Sequence, residues 1–287
     1  MKNINHTYIL YMICMFLFPF FSAAQPGSLD TRFGEQGKIF EQDFRSAADV
    51  IAVQKDGKII AAGNYHNGGG THISRYNTDG SLDITFGTNG RQILQVKLGY
   101  NFYLTQDMLL QPDGKIIVGV RTSISNPDLD ISLIRLNTDG SLDNSFGDNG
   151  IVNLAIGPYD DLLGEISLQE DGKIVVAGLK DPSGYGYYDN EIPFLLRLNT
   201  DGSYDTGFGE NGIVVQNFNG TYVRINALII LPDGKLIMGG DDDGYNDRQV
   251  VMFKYNQDGH PDLSFGNQGV AESDFDKDEN GKNIIST

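Results

Sequence analysis

The chain has 287 residues, 40% of them hydrophobic, and a formal net charge of -17. That acidity argues against nucleic acid and anionic membrane surfaces as partners. The one cysteine, Cys14, lies in the apolar leader, so the remainder can form no disulfide and must be held by packing.

In chain order, residues 1–24 read as a secretory signal peptide. Lys2 opens it, residues 8–21 form an apolar run, and Ser22, Ala23 and Ala24 supply small residues before Gln25. The run is shorter than the roughly 20 residues needed to span a bilayer, and Pro19 interrupts it. A secreted location, at the cell exterior or in the periplasm, is expected, with no membrane span after cleavage and a mature domain over residues 25–287.

The mature domain repeats itself. Asp-Gly-Lys followed by an apolar run begins at Asp56, Asp113, Asp171 and Asp233, at spacings of 57, 58 and 62 residues. A second motif, close to Asp-Gly-Ser-Leu-Asp-x-x-Phe-Gly-x-x-Gly, centres on Phe33, Phe86, Phe146, Phe208 and Phe265. In the third repeat, residues 151–156, 165–169, 173–178 and 193–199 are four short apolar or alternating runs separated by turn residues. No segment carries a sustained helical period, and 36 glycines suit many tight turns. Four strands per unit of this length, copied in series, predict an all-β fold. The expected architecture is a β-propeller of about four four-stranded repeats plus a partial fifth. Its boundaries fall near residues 38–86, 90–146, 150–208, 212–265 and 269–287.

The turn chemistry can be read further. Pro112 and Pro232 precede two of the Asp-Gly pairs, and proline cannot take the positive φ that opens a type I′ turn. A type I turn is predicted, with Gly114 and Gly234 left-handed in a G1-type bulge, and with Gly57 and Gly172 alike. The repeated Phe reads as a buried anchor between blades. An exposed ring of Phe side chains forming a binding face is the other reading, disfavoured because such patches are uncommon. Arg75, Arg135, Arg197 and Lys254 occupy equivalent positions. They form either a cationic ring for an anion or local ion pairs with Asp83, Asp143, Asp205 and Asp262, and their co-repetition favours the pairs.

These motifs resemble the delta-60 repeat family of secreted bacterial proteins. Residues 110–119 and 133–147 carry the likeness most clearly, and it extends over residues 28–270. The resemblance implies a β-propeller, no established activity and no catalytic residues. Relatives with more repeats make a fragment of a longer repeat protein an alternative reading of this chain.

Other constellations are weak. The turn over residues 137–143 offers oxygens at alternate positions, as calcium loops do, but lacks a closing Glu and reads as a capped turn. Residues 276–281 fit the first half of an EF-hand loop, which then fails at Asn283 and Thr287. Residues 241–244 read as a solvated acidic loop. No cofactor or metal site is assigned, calcium at these turns being the alternative. His66, His72 and His260 lack zinc-site spacing. Tyr185, Tyr187 and Tyr188 form a candidate carbohydrate-stacking loop, with ordinary loop packing the favoured alternative, and residues 66–72 and 184–190 break the repeat. No catalytic residue is assigned. The expected function is a secreted, non-enzymatic interaction or scaffold module for an extracellular glycan or protein. The alternative is a propeller hydrolase or lyase acting on glycans.

Overall fold

The computed structural model describes residues 27–40, 48–64, 70–94, 104–125, 128–154, 156–182, 191–218, 223–243 and 248–274. The chain divides into residues 1–40 and residues 41–287. In the first unit, one copy of the Phe-Gly motif forms a turn in which the Phe33 amide donates to the Asp30 carbonyl (3.0 Å) and the Gly37 amide to the Phe33 carbonyl (2.7 Å).

The second unit consists of four antiparallel sheets of four strands each. Sheet 1 contains β1 (Val50–Val53), β2 (Ile59–Asn64), β3 (Thr71–Tyr76) and β4 (Arg91–Leu94). Sheet 2 contains β5 (Leu104–Leu110), β6 (Ile116–Ser125), β7 (Asp128–Leu136) and β8 (Ile151–Leu154). Sheet 3 contains β9 (Asp161–Leu168), β10 (Ile174–Lys180), β11 (Ile192–Leu198) and β12 (Ile213–Val215). Sheet 4 contains β13 (Val223–Ile230), β14 (Leu236–Asp243), β15 (Arg248–Tyr255) and β16 (Val270–Asp274). The fold is an all-β propeller type, and among the described residues no helix is long and apolar enough to cross a membrane.

Sheet and sequence repeat are out of phase. The run at residues 151–154 pairs with β7 of the preceding sheet, so each sheet takes its fourth strand from beyond its own Phe-Gly motif. The same offset corrects the start of the partial fifth repeat expected over residues 269–287. Residues 270–274 are β16 and complete sheet 4 by pairing with β15. Pairing with β15 also carries β14 through Asp243, so residues 241–243 end a strand rather than forming a loop.

The period of two along a strand places alternate residues in different cores. Ile116, Val118 and Val120 of β6 pack with Ile60, Ala62, Ile73 and Phe86 between sheets 1 and 2. Ile117 faces the other way, joining Phe146, Leu163, Ile166, Ile174 and Val176 between sheets 2 and 3. Val175, Ala177 and Phe208 meet Leu228, Met238 and Phe253 between sheets 3 and 4. Among the described residues no comparable core joins sheet 4 to sheet 1.

The Asp-Gly turns take the predicted form. Gly57, Gly114, Gly172 and Gly234 have φ of 84, 87, 84 and 79°. The Gly114 amide donates to the Gln111 carbonyl (2.9 Å), whose own amide donates to the Lys115 carbonyl (2.9 Å). The first strands of sheets 2, 3 and 4 each carry a register shift, and in sheets 2 and 3 a carboxylate beside it reaches the next sheet. Asp107 Oδ2 accepts the Ile166 amide and Glu165 Oε2 accepts the Leu228 amide, each at 2.7 Å. Burial pushes both carboxyls above their usual range, opposed by these amide bonds.

Candidate functional site

The repeated charges form one device, built four times. Each third strand supplies Arg75, Arg135, Arg197 or Lys254, and the turn after it supplies Asp83, Asp143, Asp205 or Asp262. Arginine Nε lies 2.7 Å from the carboxylate in the first three copies, and Lys254 Nζ lies 3.5 Å from it in the fourth. The Asp-Gly-Lys lysine reaches the same oxygen: Lys58 at 2.7 Å, Lys115 at 2.8 Å, Lys173 at 3.0 Å and Lys235 at 2.8 Å. Sequence reasoning found the arginine partner and missed the lysine, although its repetition in step with Asp was visible. Burial pushes Asp83 and Asp143 up. The lysine amines, the Thr85 and Ser145 hydroxyls and amides, and the guanidinium charge outweigh it, holding both carboxyls far below the usual range.

The guanidinium has donors to spare after this pair. Arg75, Arg135 and Arg197 each donate from Nη1 to a backbone carbonyl of the next sheet, at Thr138, Thr200 and Gln257. Each also stands over a Phe ring: Phe86 at 4.7 Å, Phe146 at 4.4 Å and Phe208 at 4.5 Å. Those three rings are fully buried, as an anchor requires, whereas Phe265 and Phe33 are half-buried. The amides of Gly87, Gly147 and Gly209 complete the junctions by donating to the carbonyls of Asp139 (2.6 Å), Asp201 (2.8 Å) and Asp258 (2.8 Å). The cations thus serve as ion pairs and inter-sheet clamps, not as an open anion ring.

The turn over residues 137–143 uses its oxygens as caps. Asp139 Oδ1 accepts from the Ser141 amide (2.9 Å) and hydroxyl (2.7 Å). Among the described residues, no group of three or more His, Cys, Asp or Glu is placed to hold a metal. His72 is buried in β3 with Nε2 at 3.1 Å from Ser74 Oγ, and His260 sits exposed beside Asp258 at 3.2 Å. His66, Tyr185, Tyr187, Tyr188 and residues 276–281 lie outside the described residues.

Two features break the symmetry. The first is a cavity of about 400 Å³ at the Asp-Gly turn end of sheets 1 and 2. Val53, Leu110, Pro112 and Leu168 form apolar walls, with the Gln54 and Gln111 amides among them. This size and lining suit a small amphipathic ligand. Lys55 and Asp56 stand at the edge, and Arg75 is already engaged by Asp83. The second is a buried polar cluster where sheets 2 and 3 meet. Arg121 Nη2 lies 2.7 Å from Asp160 Oδ2, and Asp160 adjoins Asp161, which is completely buried. Asn64, Leu179 and Asp241 occupy the positions equivalent to Arg121, so the repeat does not require this cluster. Burial pushes the Asp161 carboxyl up to about 6, against bonds from the Ile156 and Gly157 amides and with a further upward push from Asp130. A side chain so enclosed can hold a loop in place but cannot meet a substrate.

A family described as "Domain of unknown function (DUF5122) beta-propeller" matches residues 54–86, 111–146, 169–208 and 231–265. No curated protein matches. Among solved structures, a protein of unknown function from Bacteroides caccae is 13% identical at a TM-score of 0.34, covering 80% of this chain and 87% of that one. The extracellular domains 1–2 of Drosophila Semaphorin 1b are 10% identical at 0.38, covering 74% and 40%. A GH43 glycoside hydrolase with an engineered active site is 14% identical at 0.42, covering 85% and 45%.

Proposed function

Because the chain belongs to this beta-propeller family of unknown function, its role must be sought in its own residues, and we propose a secreted, non-enzymatic interaction or scaffold module. In this reading residues 1–24 direct export, and the finer relationship is to the delta-60 repeats. The observation that carries it is the engagement of the repeated Asp, Arg and Lys side chains in clamps, while the symmetry-breaking Asp161 is sealed from solvent. A glycosidase or lyase needs an acid and a base that face the bond being broken. The cavity bounded by Val53, Gln111 and Leu168 offers apolar walls and amides, with Lys55 and Asp56 only at its edge, and suits holding an extracellular glycan or protein segment.

The test is binding and turnover measured on the same panel of soluble polysaccharides. Saturable retention in affinity electrophoresis, weakened by Leu110→Asp and without new reducing ends or unsaturated products, is the expected result. Catalytic release of products beyond the molar amount of protein would refute the non-enzymatic reading.

A further inference from the structure

Sheet 4 carries a slot whose three equivalents are all filled in the same way. At each filled junction a tight turn of the next sheet lies on a Phe-Gly pair. Gly140 rests so close that a Cβ there would stand 2.9 Å from both the Gly87 amide nitrogen and the Phe86 ring. A Cβ at Gly202 would meet Val152 at 2.6 Å and Phe146 at 2.9 Å. One at Gly259 would meet Val214 at 2.8 Å, with Phe208 and the Gly209 amide at 3.0 Å. The seated residues share the order Asn-x-Asp-Gly, and in each case the amide under the turn donates to the carbonyl of the turn's Asp.

Phe265 and Gly266 repeat this seat on sheet 4. Gly266 has φ of 53°, matching 53, 54 and 53° at Gly87, Gly147 and Gly209. The loop behind it closes as in the other copies, with the Gly269 amide donating to the Phe265 carbonyl at 2.9 Å. Yet Phe265 is half-buried where Phe86, Phe146 and Phe208 are fully buried, and Lys254 stands 5.5 Å from its ring. Beside Gly266 and Ala271, the equivalents of Gly147 and Val152, is an open cavity of about 720 Å³ that also borders Phe218 and Val270.

We propose that this slot docks an Asn-x-Asp-Gly turn presented by a β-blade of the same repeat class on a partner chain. The turn's Asp carbonyl accepts the Gly266 amide, its glycine lies on the Phe265 ring, and the Lys254 ammonium meets the carbonyl preceding that Asp. The proposal deepens the reading of the chain as an interaction module and rests on it.

The experiment is a titration of the full ¹⁵N-labelled chain with a macrocyclic peptide holding Asn-Thr-Asp-Gly-Ser-Leu in its turn. A second macrocycle has Ala in place of that glycine. A saturable shift of the Gly266 amide resonance is expected, with the Ala peptide weaker by at least about tenfold and the shift lost in Phe265→Ala. Unchanged amide resonances in sheets 1–3 confirm that this variant is folded. No shift at Gly266, or equal binding of both macrocycles, overturns the slot. Glycan retention that is lost in Leu110→Asp, without any response at Gly266, overturns the slot while leaving the broader reading intact.

Discussion

Replacing Arg135 with Ala tests the clamp where it is most enclosed. The Arg135 and Asp143 side chains are 6% and 8% exposed, with Nε 2.7 Å from the carboxylate. The change also removes the bond to the Thr200 carbonyl and the cation 4.4 Å above Phe146. Truncating one partner of a buried pair costs about 3–5 kcal/mol. Lys115 remains 2.8 Å from Asp143, so the carboxylate keeps one cation and the loss falls near the lower end, at about 3 kcal/mol. Lys115→Ala is the control. That side chain is 29% exposed, and its loss should cost no more than about 1 kcal/mol. Guanidinium unfolding followed by tyrosine fluorescence reads both, since the chain has no Trp. A loss for Arg135→Ala equal to that for Lys115→Ala would refute the clamp as a principal tie between sheets 2 and 3.

The other expectations concern the junctions and the buried acid. Gly140→Ala should lower the melting temperature more than Gly114→Ala. Both have φ of 87°, but a Cβ at Gly114 meets only the Thr138 methyl, at 2.9 Å, whereas at Gly140 it meets backbone and a buried ring. Equal melting temperatures would remove the argument for a junction seat. Phe208→Ala should cost about 3–5 kcal/mol as a buried-ring deletion, and Phe265→Ala well under half of that. Denaturant midpoints that come out equal would contradict that difference in burial. Asp161 has a folded pKa of about 6 against an ordinary 3.8, so the folded state binds the proton more tightly. Its penalty is complete above pH about 6, where it amounts to roughly 3 kcal/mol, and is relieved by pH about 4. Asp161→Asn should therefore stabilise the protein at pH 8 by up to that amount and leave it unchanged at pH 4, and a pH-independent effect would exclude this cause. Asp83 and Asp143 have the opposite sign: their depressed folded pKa values give stability above pH about 4 that is lost on acidification.

Much of this molecule is local and was therefore legible in the chain. The left-handed Gly114 follows from Pro112 and the limits proline places on φ, and the type I turn with its bulge needs no distant contact. The Arg135–Asp143 pair could be read because its members lie eight residues apart and recur together. What failed was whatever depends on which strand lies beside which. The run at residues 270–274 looks like the start of a new unit, but hydrogen bonding to β15 makes it the last strand of sheet 4. A strand's apolar pattern declares a buried face without naming the neighbour that buries it.

The functional site divides along the same line. The sequence by itself determined the repeat, its strand content, its turn chemistry and the charges that co-repeat, because these rest on dihedral preference and short-range pairing. Only the tertiary structure decided that Lys115 shares the carboxylate of Asp143 and that Asp161 is sealed away. It alone drew Val53, Leu110 and Leu168 around one cavity and left the seat at Phe265 and Gly266 without a turn on it among the described residues. These features depend on which strands and sheets lie side by side, and that is fixed by pairing and packing rather than by any spacing along the chain.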